Sequence, residues 1–232
     1  MTEDQKKKTC VEHLEGKNSK IIIDKECIEP NSKKPPVMII GFTGTGMIGT
    51  IITNELVNQL EMDPVGYVLS EDLPPITLFY DGELHHPFRI YHSDKYNLIV
   101  SMCEVPFLQG SYKDLARTLM SWALQIGVSE VVCLAGMADN TTLFREGPYE
   151  VFGAGMKEMV AKMKGFGIQA PPKGLIMGPE AAILNECLND KLNALVLLTS
   201  ANPQIPAPEG AVAIMEKLFY FFIIFKSLLF WN

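Results

Sequence analysis

The sequence offers little to metal, redox or nucleic-acid chemistry. It has five cysteines, Cys10, Cys27, Cys103, Cys133 and Cys187, and no two form a CxxC pair. Neither a zinc site nor a disulfide framework is indicated by that spacing. Cys103 and Cys133 lie in apolar runs, where a thiol serves as a small core hydrophobe. Thiols used this way fit a reducing cytoplasm. No histidine follows His92, and no GxSxG elbow is present. Cys103-Glu104 ends a strand, a position where active sites form, but without a visible partner its expected role is structural. Positive charge is also scarce. The formal net charge is -7, and Lys6-Lys7-Lys8, the one basic cluster, sits in a polar tail. A nucleic-acid binder needs a basic stripe to recruit phosphates, so that class is excluded. Residues Met1–Gln5 lack the apolar core of a secretory signal, so the sequon Asn140-Thr141-Thr142 carries no weight.

What remains is an ordinary globular composition, 47% hydrophobic and 20% charged. At 232 residues the chain suits one α/β domain with a real core. The expected boundaries are a polar extension and linker over 1–36, a single α/β domain over 37–217, and an apolar tail over 218–232. Residues 1–20 are polar and expected to fray, with an edge strand starting at Ile21-Ile22-Ile23. Pro35-Pro36 cannot sit in a central strand.

Val37–Ile40 is apolar without alternation, the mark of a strand buried on both faces. It runs into Gly41-Phe-Thr-Gly-Thr-Gly-Met-Ile-Gly49, then into a helix through Leu60. Val65–Leu69 reads as the next strand, making a βαβ unit with a right-handed crossover. Leu73-Pro74-Pro75 interrupts. Ile76–Tyr80 and Glu83–His92 read as a hairpin around Asp81-Gly82. Asn97–Met102, Glu130–Leu134 and Leu192–Leu198 are buried strands, and Leu175–Gly178 is expected as a short one. Helices are expected over Tyr112–Ile126, Ala154–Met163 and Glu180–Leu188, and from Glu209 onward. Thr141–Phe152 is ambiguous. Strands alternating with helices are the α/β signature. The expectation is a Rossmann-like, mostly parallel sheet flanked by helices, with the hairpin as an antiparallel insertion.

Gly44, Gly46 and Gly49 match the GxGxxG spacing, which supports two readings. One is a phosphate cradle, which needs an acidic residue about 20 positions on. Glu71 and Asp72 fall late for that task, and no P-loop Lys-Ser/Thr follows. The other is a tight strand-to-helix turn that needs glycine for positive φ and close approach. The second reading is favoured, so no cofactor is expected, and an anion could still meet the helix N-terminus. His85, His86 and His92, near Asp81 and Glu83, suggest a metal. Neighbouring strand residues face opposite ways, however, and His86 and His92 would lie ~20 Å apart, far beyond shared coordination at ~2 Å. No metal site is expected.

The stretch Leu218–Asn232 is too short to span a membrane and too apolar all round for a surface helix. It could pack in an oligomer interface, anchor weakly to a membrane, or be an aberrant end. The abrupt change after Ala211–Lys217 favours the last.

In order along the chain, Gly41–Gly49, Leu73-Pro-Pro-Ile76, Asp81-Gly82 with Pro87-Phe-Arg-Ile90, Leu134-Ala-Gly136, Gly174–Gly178 through Leu184–Cys187, and Ala194–Leu198 resemble the proteasome assembly chaperone 2 family. The resemblance covers about residues 37–217. It implies a phosphorylase-like α/β fold and a homo-oligomer that helps assemble proteasome α-subunits of the 20S core, without catalysis. Archaeal-type members have also been labelled ATP-grasp-like enzymes. A nucleotide- or small-molecule-binding enzyme using the glycine turn is therefore the alternative, although no set of magnesium carboxylates with a phosphate lysine is visible. Family chaperones often dock through a terminal hydrophobic–tyrosine–any motif. Phe230-Trp231-Asn232 resembles it, with tryptophan in place of tyrosine.

Overall fold

The computed structural model describes residues 11–15, 17–24, 35–107, 112–139 and 148–222. They form a nine-stranded mixed sheet between two helical layers. In chain order its strands are β1 (Val11–Glu15), β2 (Ser19–Asp24), β3 (Val37–Gly41), β4 (Asp63–Ser70), β7 (Phe88–Ser93), β8 (Leu98–Cys103), β9 (Glu130–Ala138), β10 (Val151–Gly155) and β11 (Asn193–Ala201). Across the sheet the order is β1-β2-β4-β7-β8-β3-β9-β11-β10. A separate two-stranded ribbon joins β5 (Leu78–Tyr80) to β6 (Glu83–His85).

The central strands explain the layering. In β3, Met38 and Ile40 pack into one core and Ile39 into the other. In β11, Ala194, Val196 and Leu198 face the first core while Leu195 and Leu197 face the second. Period-two alternation in an all-apolar strand needs cover on both sides. α2 (Tyr112–Gln125) and α4 (Pro179–Asp190) cover the first face with Leu115, Leu119, Trp122, Ile183 and Cys187. α1 (Ile48–Gln59), α3 (Lys157–Gly165) and α5 (Pro208–Phe222) cover the second with Ile52, Leu56, Met159, Met163 and Ile214.

The expected "mostly parallel" sheet needs correction. β8, β3, β9 and β11 form a parallel centre, but three of the eight strand pairings are parallel and five are antiparallel. The expected βαβ pair is also absent: β4 does not lie beside β3 but pairs antiparallel with β2 and β7. Burial gives the reason. All six residues of β8 are buried, whereas β4 exposes Asp63, Pro64 and Leu69. Only the strand that tolerates cover on both faces takes the place next to β3. Pro64 sits at a register shift in β4, where a missing N–H is tolerated.

The polar N-terminal stretch contributes more than expected. β2 is an internal strand with Ile21 fully buried, and β1, within the residues expected to fray, forms the edge. Asp114 at the start of α2 fixes their turn: its carboxylate accepts from the backbone N–H of Lys17 at 2.8 Å and of Asn18 at 2.7 Å. Leu175–Gly178, expected as a strand, has no strand pairing. β10 instead occupies the edge beside β11, and it takes Ala154, expected in a helix. Asp81 and Gly82 both adopt positive φ at the turn of the β5–β6 ribbon, the conformation of a tight two-residue hairpin. The run expected to continue to His92 breaks after β6, and β7 returns to the main sheet. Glu104 ties the ribbon down, accepting from the Tyr80 hydroxyl at 2.7 Å and pairing with the buried Arg89 guanidinium.

Candidate functional site

The glycine turn joins β3 to α1 at the carboxyl end of the parallel strands, where α/β sheets place their ligand crevices. Its glycines are not equivalent. A Cβ on Gly49 would stand 2.7 Å from the Phe42 nitrogen and 2.8 Å from its oxygen. Gly49 therefore lets the helix start directly against the strand. Gly46 has φ 65°, and a Cβ there would meet the Ala201 Cβ at 2.5 Å. Its carbonyl accepts from the Ala207 N–H at 2.9 Å, which joins the turn to the start of α5. Gly136 of β9 closes the other side, with the Thr45 oxygen 2.2 Å from where its Cβ would lie. Gly44 is different: its open side meets only a Glu180 carboxylate oxygen, 3.7 Å from the position of a Cβ.

Above these elements lies a cleft of about 630 Å³, bordered by Phe42–Thr45, Gly49, Tyr112, Ala135–Ala138 and Leu175–Glu180. Glu180 stands in the first turn of α4, whose start at Gly178 has no side-chain cap. It is 7% exposed and has no side-chain partner among the described residues. Burial pushes its carboxyl up to about 7, with its own backbone N–H pulling the other way. Among the described residues Tyr112 is the other ionisable side chain on the cleft wall, and no lysine, arginine or histidine lines it. The cleft thus presents one buried carboxyl between two helix starts, beside apolar Phe42, Ile176 and Met177.

The structure places the sequence candidates unequally. Gly44 and Gly49 line the cleft, and Gly46 faces away, into Ala201 and Ala207. Glu71 and Asp72 follow β4, three strands from β3 and so ~14 Å across the sheet. They are not brought to the turn. Cys103 is buried, its Sγ–H donates to the Val105 carbonyl at 3.4 Å, and burial pushes its thiol up to about 12. It is a core thiol with no thiolate character. The histidines are dispersed. His86 stacks on Tyr67 at 3.8 Å, His85 tilts against Tyr80 and His92 lies on β7. Asn140 and Phe230-Trp231-Asn232 lie outside the described residues. Glu180, the central polar group, was missed. Its one signal is Gly178-Pro179-Glu180, the pattern of a helix start, which says nothing of what the carboxyl faces.

The model of the PAC2 family matches residues 38–222. The chain belongs to the PAC2 family. Its fold recurs in the crystal structure of a Thermoplasma acidophilum protein of unknown function, 32% identical, covering 86% of this chain and 79% of that one at a TM-score of 0.74. It recurs also in Pyrococcus furiosus PbaA, an archaeal homolog of proteasome-assembly chaperone. That protein is 25% identical, with 88% and 85% covered and a TM-score of 0.76. An uncharacterized Methanocaldococcus jannaschii protein is 24% identical over 79% of this chain and 74% of its own length. The mixed sheet and its helical layers are thus those of PAC2 structures. Among the described residues no helix is long and apolar enough to cross a membrane.

Proposed function

We propose that this PAC2 protein is a proteasome-assembly chaperone-like scaffold of the cytoplasm, binding proteasome α-subunits as a homo-oligomer and catalysing no reaction. The observation that carries the reading is its likeness to PbaA along most of both chains. The surface supports it. Phe79 and Leu84 on the β5–β6 ribbon are 72% and 77% exposed, and Leu175 and Met177 before α4 are 92% and 81% exposed. Grouped exposed apolar side chains mark surfaces that meet other proteins. The nucleotide-binding alternative gains no support from the cleft, which sets a carboxyl rather than a lysine beside the glycine turn.

Native pull-down tests the role. Tagged full-length chain should retain α-subunits or half-proteasomes from its own lysate, and light scattering should give a mass above one protomer. A variant ending at Phe222, the last residue of α5, tests whether Phe230-Trp231-Asn232 contributes to docking. Loss of retention assigns docking to the tail, and undiminished retention assigns it to the folded surface. If the full-length chain retains neither species under gentle conditions, the proteasome role falls.

A further inference from the structure

The cleft at the glycine turn carries a reading of its own. GxGxxG turns that hold phosphate leave the helix N-terminus open to an incoming anion. Here that approach is guarded. The Glu180 carboxyl stands beside Gly44 on one side and Gly178 on the other, with one oxygen 3.4 Å from where a Gly178 Cβ would lie. Among the described residues an anionic ligand would meet a buried carboxyl and no cationic side chain. A cation would meet a desolvated carboxylate that lacks a side-chain partner.

We propose that this cleft binds a small amphipathic amine, its ammonium paired with the Glu180 carboxylate and its apolar body lying against Phe42, Ile176 and Met177. The volume suits such a ligand: small-molecule sites are mostly apolar clefts of about 300–1,000 Å³ with a few convergent polar groups. The charge logic is equally direct. Burial disfavours the lone carboxylate, and an ammonium held against it restores the ionised form. Amine binding therefore draws a proton off Glu180 wherever that group starts protonated, and affinity falls as pH drops below about 7. Among the described residues, the other ionisable groups near Glu180 are the Tyr112 phenol on the wall and the buried Cys103 and Cys133 thiols, pushed up by burial first and by the Glu180 charge to a lesser degree.

Three probes of one shape separate the charges: benzylamine, benzyl alcohol and benzoate. Calorimetric titration of the full chain at pH 8 should give benzylamine a Kd of about 1–10 mM, with benzyl alcohol and benzoate at least tenfold weaker. Lowering the pH to 5 should weaken benzylamine by more than tenfold, although the probe stays cationic. Glu180→Gln should abolish the preference for benzylamine over benzyl alcohol. If that variant fails to fold, wild-type chain with 13C-labelled glutamate decides the question, because benzylamine should lower the midpoint of the Glu180 carboxyl titration. Equal binding of the three probes, preference for benzoate, or benzylamine affinity unchanged between pH 8 and pH 5 would overturn the proposal. None of these outcomes bears on proteasome binding, which is read by the pull-down.

Discussion

Glu180→Gln should make this protein more stable at pH 8 and leave its stability nearly unchanged at pH 4.5. The carboxyl is almost fully buried, and burial moves it from 4.5 up to about 7. Between those values the native chain holds a proton that the unfolded chain has released. Stability then falls as pH rises through this window and levels off above about 7. Each pH unit of the window corresponds to about 1.4 kcal/mol, so the ionised carboxylate costs the native state about 3 kcal/mol at pH 8. Glutamine keeps the shape and cannot ionise. Relative to wild type the variant should gain about 3 kcal/mol in urea unfolding at pH 8. That corresponds to a midpoint roughly 6–12 °C higher in a domain of this size. At pH 4.5 the two chains should agree within about 0.5 kcal/mol. Other titrating groups are common to both chains and cancel in the difference. A difference that is the same at both pH values, or a loss at pH 8, would show that Glu180 is solvated or paired and refute the burial argument.

Two further substitutions test the frame around the site. Gly49→Ala should cost about 3 kcal/mol in urea unfolding, because its Cβ would press on the Phe42 backbone, which cannot yield as a side chain can. Gly44→Ala, with extended backbone and its nearest contact at 3.7 Å, should cost less than about 1 kcal/mol; equal costs would sink the distinction between the two glycines. Asp114→Ala should free the Lys17 and Asn18 amides, seen as lost hydrogen-exchange protection at both, and cost about 1–2 kcal/mol after allowing for solvent screening. Burial pushes the Asp114 carboxyl up, but hydrogen bonds from the amides of Asn18 and Lys17 and from the hydroxyl and amide of Ser19 together outweigh it and hold the group below its ordinary value. Its contribution is therefore present above the unfolded value near 4 and is lost as pH falls through the lower folded one. Unchanged exchange at Lys17 would mean that Asp114 does not anchor the turn.

The double-sided core was legible because it is written locally. Val37–Ile40 and Ala194–Leu198 have no polar side to offer water, and both lie between two helical layers. Strand order was not legible, because it is set by competition between distant segments. β4 follows β3 after one helix and looks like its natural neighbour. β8, buried at every residue, displaces it, and the less apolar β4 moves outward. β1 and the start of β2 were hidden for a related reason. They are polar stretches held by pairing and by Asp114, a residue far away in sequence.

The glycine turn shows how one local pattern serves two purposes. Gly46 and Gly49 answer to steric demands from Ala201 and the Phe42 backbone, and those demands exist whether or not a ligand binds. Gly49 also borders the cleft, but of the three only Gly44 is uncrowded on its open side. What it faces is fixed by α4, where Pro179 starts the helix and the next residue carries the buried carboxyl. A phosphate site would need that position free or cationic. The spacing in Gly44–Gly49 therefore reports the strand-to-helix geometry, while the charge of any ligand is decided by Glu180, which no motif centred on the glycines contains.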